Sequence, residues 1–482
     1  MADKKSKRMG PGYTFSPIKI PKIPDYVIVE LRHDSQVAFT AARFEAAPAR
    51  ETEASSLNNT LAKFKVRKFG SHFGMKTAAV HKRAVAAPAS LNVPVTAEFA
   101  HSGFVQVVPQ NPKDCAALAS QLTKAPTVWK AYVAPRPVPA VMATGTSKGS
   151  RNFEPSQGYL HSAPNGIGAM EAWTAKGGRG AGVTVCDIEG NWNRTHEDLP
   201  SGIALLGGTV INDIVWRNHG TAVLGEIVSL PGEVGTVGIA HKARAAVHSA
   251  VIANVFNTAG AINGAAANLK PGDVILIELQ ATGPNGKYVA MQYWDDIFSA
   301  IRAATDKGIT VVEAAGNGDE NFDLPIFNGT GLQKDSGAVV VGAGIPPTNW
   351  FDFFGAGPGS GYTEIGVPRS RIWFSNYGKI VSVQAWGWHV TTLGYGDAQG
   401  GASENRWYTL RFSGTSSASP IVTGSVACVQ GRAKAKTGSP LTPAKVRALL
   451  INTGTPQQAG PGVPLSQHIG PQPNLPQAFQ SI

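Results

Sequence analysis

Gly182–Trp192 reads GVTVCDIEGNW, an apolar run that does not alternate with polar residues before it ends in two acids and a glycine. A strand with one wet face alternates, so a continuous run points to a strand covered on both faces. DVILIEL (Asp273–Leu279), GITVVEAAGN (Gly308–Asn317) and GAVVVGAG (Gly337–Gly344) repeat the pattern, and DDIFSAIRAATDKG (Asp295–Gly308) reads as a crossover helix ending at its glycine. Buried strands alternating with helices make a doubly wound, mostly parallel α/β sheet, whose ligands belong at the carboxyl ends of the strands.

Polar residues stand at those ends. Asp187 arrives as the first strand stops, and Asn317 arrives between two glycines; each alone reads as a turn or capping residue. In WRNHGTAVLGEIV, His219 precedes a run of helical spacing and is expected at a helix start. RFSGTSSASPIVTG (Arg411–Gly424) is nearly all small residues, and Pro420 is tolerable only in a first turn, so a helix is expected to begin near Ser416. A hydroxyl there meets free N–H groups and the positive end of the helix dipole. A serine nucleophile needs a base, the base needs a carboxylate, and the oxyanion needs donors. His219, Asp187 and Asn317 supply those parts. Glu189, two residues past Asp187, is expected on the opposite side and is left out of the triad.

These stretches, VCDIEGNWNRTHEDL, NHGTAVLGEI, EAAGNG and SGTSSASPIVTG, resemble the subtilisin-like serine proteases, with Asp, His and Ser in that chain order. The likeness spans roughly residues 157–482 and reaches TPAKVRALLINTGTP. It implies a serine endopeptidase with Ser416 as nucleophile, His219 as base, Asp187 as its carboxylate and Asn317 as oxyanion donor, Ser413, Ser417 and Ser419 being packing or capping residues. It also implies substrate contacts from Leu279, Gln280, Ala314, Ala315 and Gly316. Where the family has SLGG this chain has ELQA, so Gln280 is expected to narrow or polarise the pocket beside the scissile bond, and Trp386 stands where proline is usual. No cofactor is needed for such chemistry. Structural calcium recurs in the family, but no acidic cluster here has ligand spacing.

Upstream, YVIVEL, FVQVV and VWKAYV read as strands, and ASSLNNTLAKF and NPKDCAALASQLTKA as helices, the second capped by Asn111 with Pro112 behind it. Residues 1–135 thus read as a small α+β domain, matching the family's N-terminal propeptide in position and size. As such it is expected to assist folding and to plug the active-site cleft as an intramolecular inhibitor until it is cut away. The Pro- and Ser-rich residues 136–156 read as a linker. NWFDFFGAGPGSGYTEIGVPRSRIW (Asn349–Trp373) reads as a loop with a satellite core.

Of 482 residues, 43 are Lys or Arg and 32 Asp or Glu, an excess of +11. Clusters such as KKSKR, KFKVRKFG and VHKR lack aromatic interleaving and read as solvated surface, not a nucleic-acid site. Three cysteines make no disulfide framework, and Cys186 and Cys428 lie in apolar runs. With no secretory h-region and no apolar run of spanning length, no membrane is expected as partner and the default location is cytoplasmic. The expected partner is a protein or peptide substrate. A catalytically silent module docking through its basic N-terminal domain is the competing reading; a nucleotide site lacks its glycine fingerprint, since DIEGNW has a single glycine.

Overall fold

The structure, a computed structural model, describes residues 23–32, 37–39, 43–46, 50–73, 103–139, 151–347 and 366–482. KKSKR, VHKR, the centre of the linker and most of the aromatic loop lie outside them. Of that loop, Ile372 joins a small cluster with Ala343, Ile345, Phe374 and Trp388.

The N-terminal unit runs β1 (Val27–Leu31), α1 (Glu51–Lys63), β2 (Val66–Ser71), β3 (Phe104–Pro109), α2 (Cys115–Leu122) and β4 (Val128–Val133). Its sheet is antiparallel in the order β2-β3-β1-β4. Val27, Val29 and Leu31 face the unit's own helices, meeting Leu57, Leu61, Leu118 and Leu122. Tyr26 and Ile28 face the other way and pack with Phe104 and Val108 of β3 and with Val255 of the larger domain. YVIVEL is therefore apolar but for Glu30 because each face of its strand is covered by a different partner. Asn111 accepts from the Lys113 N–H at 3.2 Å, but the turn it caps is a 3-10 turn, Pro112–Asp114, ahead of α2.

The larger domain contains β5 (Thr184–Glu189), β6 (Ala204–Gly207), α3 (Ile214–Val228), β7 (Arg244–Ser249), α4 (Thr258–Asn268), β8 (Val274–Ile277), β9 (Gln280–Thr282), β10 (Tyr288–Ala290), α5 (Asp295–Asp306), β11 (Thr310–Ala314), β12 (Val339–Gly344), β13 (Val381–Trp386), α6 (Thr415–Thr437) and α7 (Pro443–Thr453). Seven strands form one parallel sheet in the order β13-β12-β11-β8-β5-β7-β6. Side chains alternate between its faces. Val183, Val185, Leu276 and Val312 pack with α3 and α6, while Cys186, Ile188, Ile275, Ile277 and Val311 pack with α4 and α5. The doubly wound architecture read from the continuous runs is the observed one.

Helix α6 is buried along most of its length, which its small residues permit. A Cβ on Gly424 would lie 2.7 Å from the Ile239 Cβ, so a larger residue would push the helix off its bed. Pro420 sits beyond the first turn, against expectation. Its ring has no N–H for the Ser416 carbonyl, and the helix accepts that loss near its start. His219 also departs from expectation: Asp213 is the N-cap of α3, accepting from Val215 N–H at 2.8 Å, and His219 lies in the second turn.

Candidate active site

Three elements on one side of the sheet converge on Ser416. Odd-numbered residues of β5 face α3 and α6, so Asp187 and Glu189 share that face, and both are fully buried. This corrects the expected split between them, because the side-chain period of a strand is two and residues two apart point the same way. The Nδ1 of His219 is hydrogen-bonded to Glu189 Oε2. The other Glu189 oxygen accepts from the Gly190 N–H at 3.1 Å. Asp187, assigned to the triad from sequence, instead accepts from Trp192 Nε1 at 2.7 Å, and it acts on the imidazole only through space. The carboxylate in contact with His219 is Glu189.

With its Nδ1 proton donated to Glu189, the neutral imidazole presents Nε2 as an acceptor. That nitrogen is buried and without a partner, and so is the Ser416 hydroxyl. Burial drives His219 down to about 3, opposed by the Asp187 charge, so the neutral ring is the resting form. Burial likewise pushes Glu189 and Asp187 up. Phe412 meets the imidazole edge-on, with ring centroids 5.4 Å apart.

Ser416 occupies the first turn of α6, entered through Gly414 at φ 114°, a conformation only glycine adopts freely. Next to it, the N–H and the hydroxyl of Thr415 both donate to Asn317 Oδ1 at 2.9 Å. Pinning the carbonyl end of that amide leaves its Nδ2 as the free end. The Asn317 N–H donates to Gln280 Oε1 at 2.8 Å, and the Gly316 N–H to Thr415 Oγ1 at 3.2 Å. Gly316 has φ +91°, and a Cβ there would come within 2.9 Å of Asn376 Nδ2. Ala314 and Ala315 are buried beside it. Leu279 turns its side chain into the core on the α4 and α5 side, so this position offers a groove only its backbone.

Of the flanking serines, Ser413 accepts from the His389 N–H at 3.2 Å and Ser417 donates to the Trp386 carbonyl at 3.0 Å. Ser419 does more than pack: its Oγ lies 2.5 Å from Oε1 of Glu278, a fully buried acid at the end of β8. Cys115, Cys186 and Cys428 are free and buried. Among the described residues no group of three or more His, Cys, Asp or Glu is placed to hold a metal ion, and no helix is long and apolar enough to cross a membrane.

The N-terminal unit leans on the same domain. Asp296, in the first turn of α5, accepts from Tyr132 OH at 2.8 Å and meets His72 Nε2 at 2.8 Å. Asp295 pairs with Lys130, and Tyr26 OH donates to the Phe256 carbonyl at 2.6 Å. Past β4 the chain stays attached. The Val138 N–H donates to the Gln280 carbonyl at 2.9 Å, and the Gln280 N–H to the Val138 carbonyl at 3.3 Å. At the far end of the linker Phe153 is buried against Tyr408, its N–H donating to the Gly235 carbonyl at 2.6 Å.

A doubly wound sheet carrying a buried histidine bonded to a carboxylate, together with a serine of unpaired hydroxyl at a helix start, has the makings of a serine hydrolase. The chain belongs to the subtilase family, whose model, Peptidase_S8, matches residues 180–470. It is 29% identical over 332 residues to a protein named extracellular protease from Xanthomonas campestris pv. campestris, across 67% of this chain and 48% of that protein. The chain thus spans about half the length of that relative. The relative's name gives no support to the default expectation of a cytoplasmic chain. Among solved structures, one titled as proteases from Pseudoalteromonas arctica PAMC 21717 is similar over 70% of this chain and 99% of its own, at 19% identity and a TM-score of 0.47.

Proposed function

We propose that the chain is a serine endopeptidase whose working residues are Ser416, His219, Glu189 and Asn317. The carrying observation is the fully buried His219, with Nδ1 engaged by Glu189 and Nε2 unpaired, together with an unpaired Ser416 hydroxyl that acts, as Glu189 does, on the neighbouring Glu278. As Ser416 Oγ bonds to the peptide carbonyl carbon, its proton passes to His219 Nε2 and the π pair moves onto the carbonyl oxygen. Glu189 steadies the resulting imidazolium. Asn317 Nδ2 and the Ser416 N–H at the helix start offer donors to the oxyanion. Collapse expels the amine, which leaves with the Nε2 proton, and water then repeats the sequence to release the acid and restore the hydroxyl.

The N-terminal unit is read as an attached inhibitor. Val138 adds to the edge at Gln280 as a substrate strand would, while β1–β4 hold on α5. A site of action outside the cytoplasm is supported by the name of the Xanthomonas relative.

The test is labelling with a serine-directed phosphonate, alongside hydrolysis of casein. One adduct should form and map to Ser416, and S416A and H219A should take up none. A folded wild-type protein that is neither labelled nor hydrolytic would be the silent binding module instead.

A further inference from the structure

Glu278 is an acid with no place in the mechanism above, yet it is fully buried beside the nucleophile. Ser419 Oγ lies 2.5 Å from Glu278 Oε1 and 2.7 Å from the Thr415 carbonyl oxygen. The serine has one proton and the carbonyl can only accept. Both contacts are hydrogen bonds when Ser419 donates to Thr415 and Glu278 carries a proton that it donates to Ser419. The second Glu278 oxygen is then a carbonyl-type acceptor. It is buried and unpaired, as is the Ser416 hydroxyl, which lies near enough to act on the Glu278 charge.

We propose that Glu278 is a neutral carboxylic acid whose free oxygen holds the Ser416 hydroxyl at rest, the hydroxyl turning to His219 Nε2 for attack, and that losing its proton sets the alkaline limit of activity. The inference rests on the serine-peptidase reading. An ionised Glu278 would set a full negative charge beside the alkoxide and oxyanion that form during attack, with no water to screen it.

Burial and every charged neighbour oppose ionisation, and only the hydroxyls of Ser419 and Ser416 favour it. β5 presents Asp187 and Glu189, and α3 presents Glu226, fully buried with both oxygens unpaired. β11 contributes no counter-charge on this face, because Glu313 points to the other side of the sheet and accepts from the Gln292 N–H at 2.8 Å. From α6 come only the hydroxyls of Ser416 and Ser419. α3 also carries His219, neutral at rest. Burial raises Glu278 well above the usual carboxylate range against the pull of the Ser419 and Ser416 hydroxyls, Asp187 and Glu189 add to the rise, and Glu278 in turn raises Glu226.

The experiment follows the rate of phosphonate labelling and kcat/KM from pH 5 to 11 in wild type, E278Q, E278A and S419A. E278Q keeps an uncharged donor and acceptor of the same shape, so its plateau at pH 7 should stay within about 3-fold of wild type. Its alkaline fall should vanish or move up by more than about one pH unit. E278A should lose about 10-fold or more in kcat with little change in KM. S419A removes the acceptor for the acid proton, so its limb should move to lower pH; should E278Q not fold, this variant decides alone. An E278Q limb at the wild-type pH, a limb abolished by E226Q but not E278Q, or an S419A limb that stays or rises overturns the proposal. A wild-type protein that is never labelled instead defeats the peptidase reading beneath it.

Discussion

Val138 and Gln280 exchange both of their backbone hydrogen bonds across an antiparallel bridge, while the Gln280 side chain accepts from the N–H of Asn317. One residue thus ties the segment leaving the N-terminal unit to the residue that we read as oxyanion donor. In antiparallel pairing each step forward along one chain is a step back along the other. A peptide held at this bridge therefore presents its second following residue to Glu278, in the neighbourhood of Ser416.

That register predicts where the protein cuts itself. Wild-type protein should be processed close after Ala140, within the linker, and S416A should stay at full length. Intact mass and N-terminal sequencing read the outcome directly. The excised N-terminal fragment should inhibit the processed enzyme in trans, and D296N, which weakens the contacts to His72 and Tyr132, should reduce that inhibition. An active enzyme that remains whole and ignores the fragment would make the unit a permanent accessory domain.

Glu189 and Asp187 should separate sharply on substitution. E189Q leaves the shape but removes the charge that holds the His219 tautomer, and kcat should fall on the order of 1000- to 10,000-fold, the scale known for the corresponding change in another triad. D187N should cost less than about 10-fold. The acid limb of wild-type labelling should also lie below the ordinary histidine range, because burial disfavours the imidazolium that would block the base.

Gln280 should govern the side chain accepted next to the scissile bond. It is almost wholly buried, with its amide seated against the Asn317 backbone, so it occupies space that a large substrate side chain would need. Peptides with alanine at that position should outperform those with phenylalanine. Q280G should raise the phenylalanine-to-alanine ratio of kcat/KM by roughly 10-fold or more. An unchanged ratio would mean that the pocket lies elsewhere.

Glu313 should make the fold less stable as pH rises. Burial raises its carboxyl from 4.5 to about 8. Between those values the folded chain keeps a proton that the unfolded chain has released, so stability falls with increasing pH across that window. E313Q should flatten the slope by up to ~1.4 kcal/mol per pH unit, measured by urea unfolding of the S416A background at pH 5 to 8.

The sheet was legible because burial on both faces writes itself as uninterrupted apolar runs. The small residues of Gly414–Gly424 likewise announced a helix lying deep in the core. His219, Asn317 and Ser416 stood out by their glycine and threonine neighbours. Glu189 is within reach of sequence reasoning once the strand period is kept: two residues along a strand is a full repeat, not a half. The strand VRKFGS hid behind its charges, since Phe69 is its one buried side chain. The contact between His72 and Asp296 joins residues far apart in the chain, and no local pattern encodes it.

The order of residues along the chain carries a consequence in time. Val138 precedes Glu189, His219, Asn317 and Ser416, so during synthesis the segment that bridges to Gln280 exists before the serine that would attack a substrate there. On the reading proposed above, the inhibitor is made before the nucleophile. The proposed inhibitor then meets its own site within one chain, at the high effective concentration that a short tether sets.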